Sequence, residues 1–360
     1  MTHIYNILLD KYINNKSISI NWNNIEQIDK NNLIDKNNLK HVNYNDIEKI
    51  SDKLAVVKLN GGLGTTLGCN GPKSLMDIYD NYKFMDIIIN QSKLHKAQLI
   101  LMNSFYTHEK INNYLNNNNI DNVISFVQNK YPRILKHNKQ SLAINNKNNL
   151  DQDNLDYYYP PGHGDLFLCL QESGLLDKLE ENNIEYIFVS NSDNLGAVID
   201  YNLFYDIYIN NLDCAVELTK RTNMDIKGGT LVKYGDRHIM VELSQCLNEC
   251  KQNINSINSF EFFNTNNMWI KLSAIRELLK KNYMDDIDII ENNKKLKDGR
   301  DCVQLEYTIG SFVKFFDKIK CYIVDRNRFI PVKDKKDYDY VKSTDNYILD
   351  KNNWILNKIN

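Results

Sequence analysis

A three-layer α/β fold around a mixed, mainly parallel central sheet is what this 360-residue sequence predicts, and three observations predict it. Short apolar runs alternate with amphipathic stretches, the pattern of repeated strand–helix units. Two of the runs end in polar loops, LNGG at Leu59–Gly62 and NSDN at Asn191–Asn194, as strands do where an open α/β sheet holds a ligand. From Gly229 to Leu243 the alternation gives way to GGTLVKY and RHIMVEL around Gly235-Asp236, a β-hairpin that makes the sheet mixed.

The elements follow in order. Residues 1–52 are polar with apolar residues at helical intervals, which predicts a small helical cap. LAVVKL from Leu54 reads as a buried strand, and the amphipathic stretch through Phe84–Ile89 as the helix after it. A strand at Ala97–Met102, a helix after Thr107 and a strand at Val123–Val127 continue the pattern. Helices at Leu166–Gln171 and Leu175–Glu181 precede a strand at Glu185–Ser190; a helix at Leu203–Ile209 precedes a strand at Asp213–Thr219. These place one catalytic domain over residues 53–333 and a helix with a tail over 334–360. The asparagine runs at Asn116–Asn119 and Asn138–Asn154 read as solvated loop insertions.

Composition narrows the class. The chain is 42% hydrophobic and 25% charged, ordinary for a globular protein, and its net charge of −2 offers no basic field for nucleic acid. Seven cysteines without a CxxC pair read as reduced thiols, and Cys246 and Cys250 lack a histidine cluster for a zinc site. The start MTHIYNILLDKYINN has no signal-peptide pattern and no run approaches ~20 apolar residues, so a cytoplasmic protein is expected.

The chemistry concentrates in VVKLNGGLGTTLGCNGPKSL, Val56–Leu75. A strand running into five glycines lets bare backbone N–H groups close on phosphate oxygens. It is not a Walker A loop, because Pro72 separates Gly71 from Lys73. Nor is it a dinucleotide fingerprint, because Gly64 and Gly68 stand one residue too far apart. Asp193 follows an apolar strand, where a carboxylate serves either an Asx turn or a Mg²⁺ ion completed by substrate phosphates. In Tyr159–Asp165, YPPGHGD, Gly162 and Gly164 let backbone approach a ligand with His163 between them. Gln128, at the end of VISFV, offers a donor and an acceptor that match one edge of a pyrimidine. Arg326–Lys333 holds three cations in eight residues, either a solvated loop or an anion contact.

Together these stretches resemble the eukaryotic-type UTP–glucose-1-phosphate uridylyltransferases, also called UDP-glucose pyrophosphorylases. The matching text is KLNGGLGTTLGCNGPKSL, LMNSFYT, QNKYPR, YPPGHGD, EYIFVSNSDNLGA, KGGTL, FNTNNMWI, VQLEYTIG and RFIPVK, in order from about Leu54 to Val341. The resemblance implies a nucleotide-diphospho-sugar transferase (GT-A-like) fold. It implies Mg²⁺ as cofactor, and UTP, glucose 1-phosphate, UDP-glucose and pyrophosphate as partners. By the matching positions it implies UTP contacts at Leu59, Asn60, Gly61, Gly62, Lys73, Gln128, Gly162 and Lys333. Sugar-phosphate contacts fall at His163, Asn191, Ser192, Gly229, Glu242 and Asn266, the metal on Asp193, and catalytic charge on Lys73, Asp193 and Lys333.

Three departures stand out. Ser192 replaces an apolar residue and Leu67 a methionine, and neither removes a ligating group. The family also continues into a C-terminal β-helix domain, whereas no hexapeptide-like repeat follows Lys333. That domain is expected to be absent, and a monomer or small oligomer follows. The alternatives are a related UDP-sugar or UDP-N-acetylglucosamine pyrophosphorylase, or a non-catalytic sugar-nucleotide sensor. Thr66 stands where the N-acetylglucosamine enzymes usually carry arginine, and the retained Lys73, Asp193 and Lys333 argue against a sensor.

Overall fold

The computed structural model describes residues 3–16, 20–29, 32–68, 71–142, 154–222, 225, 228–242 and 260–359. Cys246, Cys250 and the centre of the second asparagine-rich run lie outside these residues. The central sheet has eight strands: β1 (Leu33–Asp35), β2 (Leu54–Asn60), β3 (Gln98–Asn103), β4 (Val123–Val127), β5 (Tyr186–Asn191), β6 (Cys214–Lys220), β7 (Phe262–Lys271) and β8 (Ile319–Ile323). Their order is β1-β8-β6-β7-β5-β2-β3-β4. All neighbours are parallel except β7, which runs antiparallel to both β5 and β6. The sheet is mixed and mainly parallel, as the sequence predicts, but its antiparallel member is β7 and not the hairpin expected at Gly229–Leu243.

Strand periodicity builds the three layers. Side chains alternate across a strand, so Ala55, Val57, Ile100, Met102, Ile187 and Val189 enter one core while Leu54, Val56, Leu99, Leu101, Tyr186 and Phe188 enter the other. The first core takes helices α1 (His3–Ile13), α5 (Leu166–Glu172), α6 (Leu175–Glu181) and α8 (Leu272–Leu279); the second takes α3 (Phe84–Leu94) and α7 (Tyr201–Ile209). Because both faces are covered, β2 and β5 read as continuous apolar runs rather than as alternation. Helices α2 (Tyr44–Ser51), α4 (His108–Asn117) and α9 (Lys335–Lys342) complete the set named here, and Asn43 caps α2 through its side chain to the Asp46 N–H.

The N-terminal segment departs from a purely helical cap. It holds α1 and α2, but between them β1 joins the sheet edge, parallel to β8. Three half-buried residues at an edge leave no apolar run to read. The hairpin forms, Thr230–Tyr234 against Arg237–Val241 with Gly235 in a left-handed turn, but in a separate three-stranded sheet with Ile25–Glu26. After α9 the chain ends in a second hairpin, Tyr347–Asp350 with Ile355–Lys358, where a tail was expected. Among the described residues no helix is long and apolar enough to cross a membrane.

Candidate active site

β2 and β5 lie side by side in register, with Leu59 opposite Asn191. Their two polar loops therefore leave the sheet together, and the Ser192 N–H donates to the Leu59 carbonyl at 3.2 Å. Between them opens a cleft of about 340 Å³. Its walls contain Leu59, Asn60, Gly61, Gly62, Lys73, Gln128, Gly162, His163, Asn191, Ser192 and Asp193, all singled out by sequence, together with Met102, Pro160 and Glu306.

The glycine loop is shaped by hydrogen bonds at its back. Asn60 Nδ2 donates to Asn103 Oδ1 at 2.7 Å, and the Ser104 and Thr107 hydroxyls donate to the Gly61 and Asn60 carbonyls. The loop returns through Gly64 N–H to Gly71 carbonyl (2.9 Å) and Lys73 N–H to Gly62 carbonyl (3.2 Å), which brings Lys73 back over the strand end. Gly61 leaves room for the Gln128 amide: a Cβ there would lie 2.4 Å from Gln128 Nε2 and would push that side chain aside. Gln128 is buried, its backbone N–H donates to the Asn103 carbonyl at 2.8 Å, and its Oε1 has no partner. A buried amide with an open acceptor is costly unless a ligand completes it.

At the other strand end Lys73 Nζ donates to Asp193 Oδ2 at 2.7 Å, with both side chains mostly buried. Asp193 Oδ1 is buried and has no partner. The donor set suits a divalent cation: a carboxylate oxygen is free, and oxygen is what Mg²⁺-like ions prefer. No cluster of three metal-binding side chains occurs among the described residues, so a cation here would draw its remaining ligands from water and phosphate. Bound there by Asp193, it would supply positive charge against a ligand's phosphates.

The opposite wall is the Pro160–Asp165 turn. Gly162 adopts φ +95°, and a Cβ there would lie 2.7 Å from the Tyr307 carbonyl. The Tyr307 backbone clamps this turn by donating to the Pro161 carbonyl and accepting from Gly164, both at 3.0 Å. His163 Nδ1 accepts from the Ile309 N–H at 3.1 Å, so the ring proton sits on Nε2. Burial pulls the His163 pKa down to about 4. The side chain is thus a neutral donor near pH 7.

Four of the sequence-selected residues stand elsewhere. Lys333 borders an adjacent cleft of about 330 Å³ with Arg326, Phe329 and Asp225, its amine 5.5 Å from the Phe263 ring centre. Gly229 and Glu242 face each other on the hairpin, where a Gly229 Cβ would lie 2.7 Å from Glu242 Oε1. Burial pushes the Glu242 carboxyl up and the Lys333 charge opposes that. Asn266 donates to Asn191 Oδ1 at 2.9 Å, one hydrogen bond behind the wall. Lys333 nevertheless belongs to a strap tied to the Asp193 loop: Asn194 Oδ1 accepts from the Ile330 N–H at 2.9 Å, and the Val332 N–H donates to the Asp193 carbonyl at 3.2 Å. Sequence reasoning missed Met102, Pro160 and Glu306. All three lie inside quoted motifs, LMNSFYT, YPPGHGD and VQLEYTIG, but nothing local marks them as cleft residues, and Glu306 reaches the cleft from a strand distant in sequence.

An open α/β sheet with a glycine loop, an open amide and a lysine–carboxylate pair at its strand ends defines a nucleotidyltransferase, and the architecture is that of the nucleotide-sugar transferases. The family model described as UTP–glucose-1-phosphate uridylyltransferase matches residues 2–360. UTP–glucose-1-phosphate uridylyltransferase 2 of Dictyostelium discoideum is 37% identical over 365 residues, covering 98% of this chain and 70% of that protein. The Solanum tuberosum protein of that activity name is 38% identical over 360 residues, covering 97% and 74%. Solved structures agree: Trypanosoma brucei UDP-glucose phosphorylase superposes with TM-score 0.85 at 29% identity, covering 99% of this chain and 77% of that one. A mutant UDP-glucose pyrophosphorylase from Leishmania major in complex with UDP-glucose gives 0.83 at 26% identity, covering 100% and 82%. The chain belongs to the UTP–glucose-1-phosphate uridylyltransferase family.

Proposed function

We propose that this chain makes UDP-glucose and pyrophosphate from UTP and glucose 1-phosphate, reversibly and with Mg²⁺. The observation that carries the reading is the Lys73–Asp193 pair, which presents an ammonium and a free buried carboxylate oxygen to one cleft. The sugar phosphate is the nucleophile. Its second pKa is near 6, so it is largely dianionic at neutral pH and attacks the α-phosphorus without a general base. A site without a nucleophilic dyad is therefore suited to the task. What it must supply is alignment and positive charge.

Each wall has a part in this reading. Gln128 pairs its amide with the uracil imide edge, with Gly162 close against the base. The Leu59–Gly62 backbone runs along the nucleoside and phosphates. Lys73 holds the triphosphate, and Asp193 would hold Mg²⁺, which would supply positive charge against the repulsion between the two phosphates. His163 donates from Nε2 to the sugar phosphate, Asn191 and Ser192 face sugar hydroxyls, and Asn266 steadies Asn191 from behind the wall, while Gly229 and Glu242 on the hairpin stand outside the cleft. Lys333 approaches the phosphates as its strap closes from the adjacent cleft. Residues 53–333 form the catalytic domain in this reading, flanked by 1–52 and 334–360.

A pyrophosphate-release assay across nucleoside triphosphates and sugar 1-phosphates tests the proposal. Turnover with UTP and glucose 1-phosphate in Mg²⁺, well above N-acetylglucosamine 1-phosphate, is expected. Release with N-acetylglucosamine 1-phosphate alone, or with no sugar phosphate, would overturn it.

A further inference from the structure

We propose that Glu306 accepts a hydrogen bond from the ribose of the bound nucleotide and makes this site select ribonucleotides over deoxyribonucleotides. The inference rests on the reading that the cleft holds UTP, and gives a role to a residue that lies inside VQLEYTIG but that the resemblance left without one. Glu306 ends the strand Asp301–Glu306 and lines the cleft that contains Gln128, Gly162 and Lys73. Its position is rigid, because the next residue clamps the Pro161–Gly164 turn from both sides. A Gly162 Cβ would lie 3.5 Å from Glu306 Cβ, so the carboxylate is rooted directly behind that turn.

The two carboxylate oxygens have different surroundings. Oε1 accepts from Asn292 Nδ2 at 2.9 Å. Gln304 donates to the same oxygen at 3.1 Å in the amide orientation that also lets it accept from Arg133. Oε2 has no hydrogen-bond partner among the described residues. The side chain is thus held by one oxygen and open at the other.

A carboxylate accepts and does not donate. Placed against phosphates it would repel them, so the part of the nucleotide it meets must offer a donor. UTP offers N3–H of the base and the 2′- and 3′-hydroxyls of the ribose. The base edge is already met by Gln128, whose unpartnered Oε1 suits N3–H. The ribose lies between the base and the triphosphate, that is, between Gln128 and the Lys73–Asp193 pair. Glu306 lines the same cleft beside the Pro160–Gly162 turn, and in the proposal a ribose hydroxyl completes its open oxygen.

The test compares UTP with 2′-deoxy-UTP and 3′-deoxy-UTP in wild type, E306A and E306Q. Wild type is expected to favour UTP over at least one deoxy analogue by about tenfold or more, carried mainly in KM, as loss of a hydrogen bond to a charged group predicts. E306A should bring that ratio to within about twofold by weakening UTP alone. An unchanged ratio in an active variant would overturn the proposal. So would an altered UTP-to-CTP ratio with the deoxy ratio intact, which would put Glu306 at the base. A KM change confined to glucose 1-phosphate would put it at the sugar and count equally against. If E306A does not fold, E306Q keeps an acceptor for Asn292 but replaces the charged acceptor at the cleft by an amide, and should lower the ratio by a smaller factor; an unchanged ratio there would also count against the proposal. Calorimetric binding of the three nucleotides gives the ratio without turnover. Tight UTP binding without UDP-glucose formation would sink the functional reading, while a deoxy preference in that binding that E306A abolishes would still support Glu306 at the ribose.

Discussion

Lys73 Nζ stands 2.7 Å from one oxygen of Asp193, and the other oxygen of that carboxylate is buried without a partner. The two residues are 120 positions apart, brought together because β2 and β5 are adjacent and in register. Leaving a carboxylate oxygen buried and unpaired costs about 1–3 kcal/mol. A site that carries this cost in its free state recovers it when a cation or ligand donor arrives. Asp193→Asn should therefore remove most Mg²⁺-dependent turnover while leaving unfolding stability within about 1 kcal/mol of wild type. Steady-state rates against Mg²⁺ concentration and a denaturant titration check it. Near-normal rates at ordinary Mg²⁺ would remove Asp193 from the metal site.

Gln128 and Gly61 form a second coupled pair. The amide nitrogen occupies the space a Cβ at position 61 would need, at 2.4 Å. Gly61→Ala should displace Gln128, so that both Gly61→Ala and Gln128→Ala erode preference for UTP over CTP. Removing a well-placed polar contact of this type predicts a loss of roughly tenfold in the ratio of kcat/KM values. If Gln128→Ala leaves the ratio unchanged, the amide does not read the base.

Much of this site was legible in sequence, for a physical reason. Parallel strands covered on both faces must be apolar throughout, so LAVVKL and EYIFVS stood out, and a ligand crevice at their ends had to appear as polar residues directly after them. What was not legible depends on contacts remote in the chain. β7 contains FFNTNNMWIK, whose asparagines hide a buried strand. Asn267 is tolerated there because Glu217 accepts from it at 3.0 Å, 50 residues away. Glu306, inside VQLEYTIG, likewise shows no role until the Pro160–Gly162 turn is placed beside it. Lys333 shows the converse: its motif was plain, but its amine points into the neighbouring cleft, a position set by the strap rather than by local sequence.

His163 makes a pH prediction. Its folded pKa of about 4 lies below the ~6.5 of an unfolded histidine because burial disfavours the charged ring. Between those values the unfolded chain binds a proton that the folded chain does not. Stability therefore rises with pH across about 4 to ~6.5, and falls as the medium is acidified through that window. Above it the residue contributes no slope. His163→Gln should flatten this part of the stability profile, measured by urea unfolding at several pH values. In wild type, an NMR titration should show no His163 protonation at pH 6. Observing an imidazolium there would contradict the buried neutral donor.

The final prediction concerns what holds the Lys333 strap. Arg328 donates to both oxygens of Glu217, Nη2 to Oε1 at 2.6 Å and Nε to Oε2 at 2.8 Å, with the side chains 5% and 0% exposed. Glu217 is further satisfied by Trp269 Nε1 at 2.9 Å and Asn267 Nδ2 at 3.0 Å. Arg328 reaches the Val198 carbonyl at 3.0 Å, and its own carbonyl accepts from Asn194 at 3.1 Å. The pair thus joins β6 and β7 to the loop that presents Asp193 and the strap that ends at Lys333. Removing one partner leaves the other charge buried and uncompensated, so Arg328→Met should cost about 3–5 kcal/mol. The double variant Arg328→Met/Glu217→Gln removes both charges and should recover much of that loss. Recovery of stability need not restore rate, because the strap no longer has its bidentate anchor. We expect the double variant to be folded, with weakened pyrophosphate binding and reduced kcat. Equilibrium unfolding of both singles and the double, beside their rates, separates the two effects. A single substitution costing under about 1 kcal/mol would show that the pair does not anchor the strap.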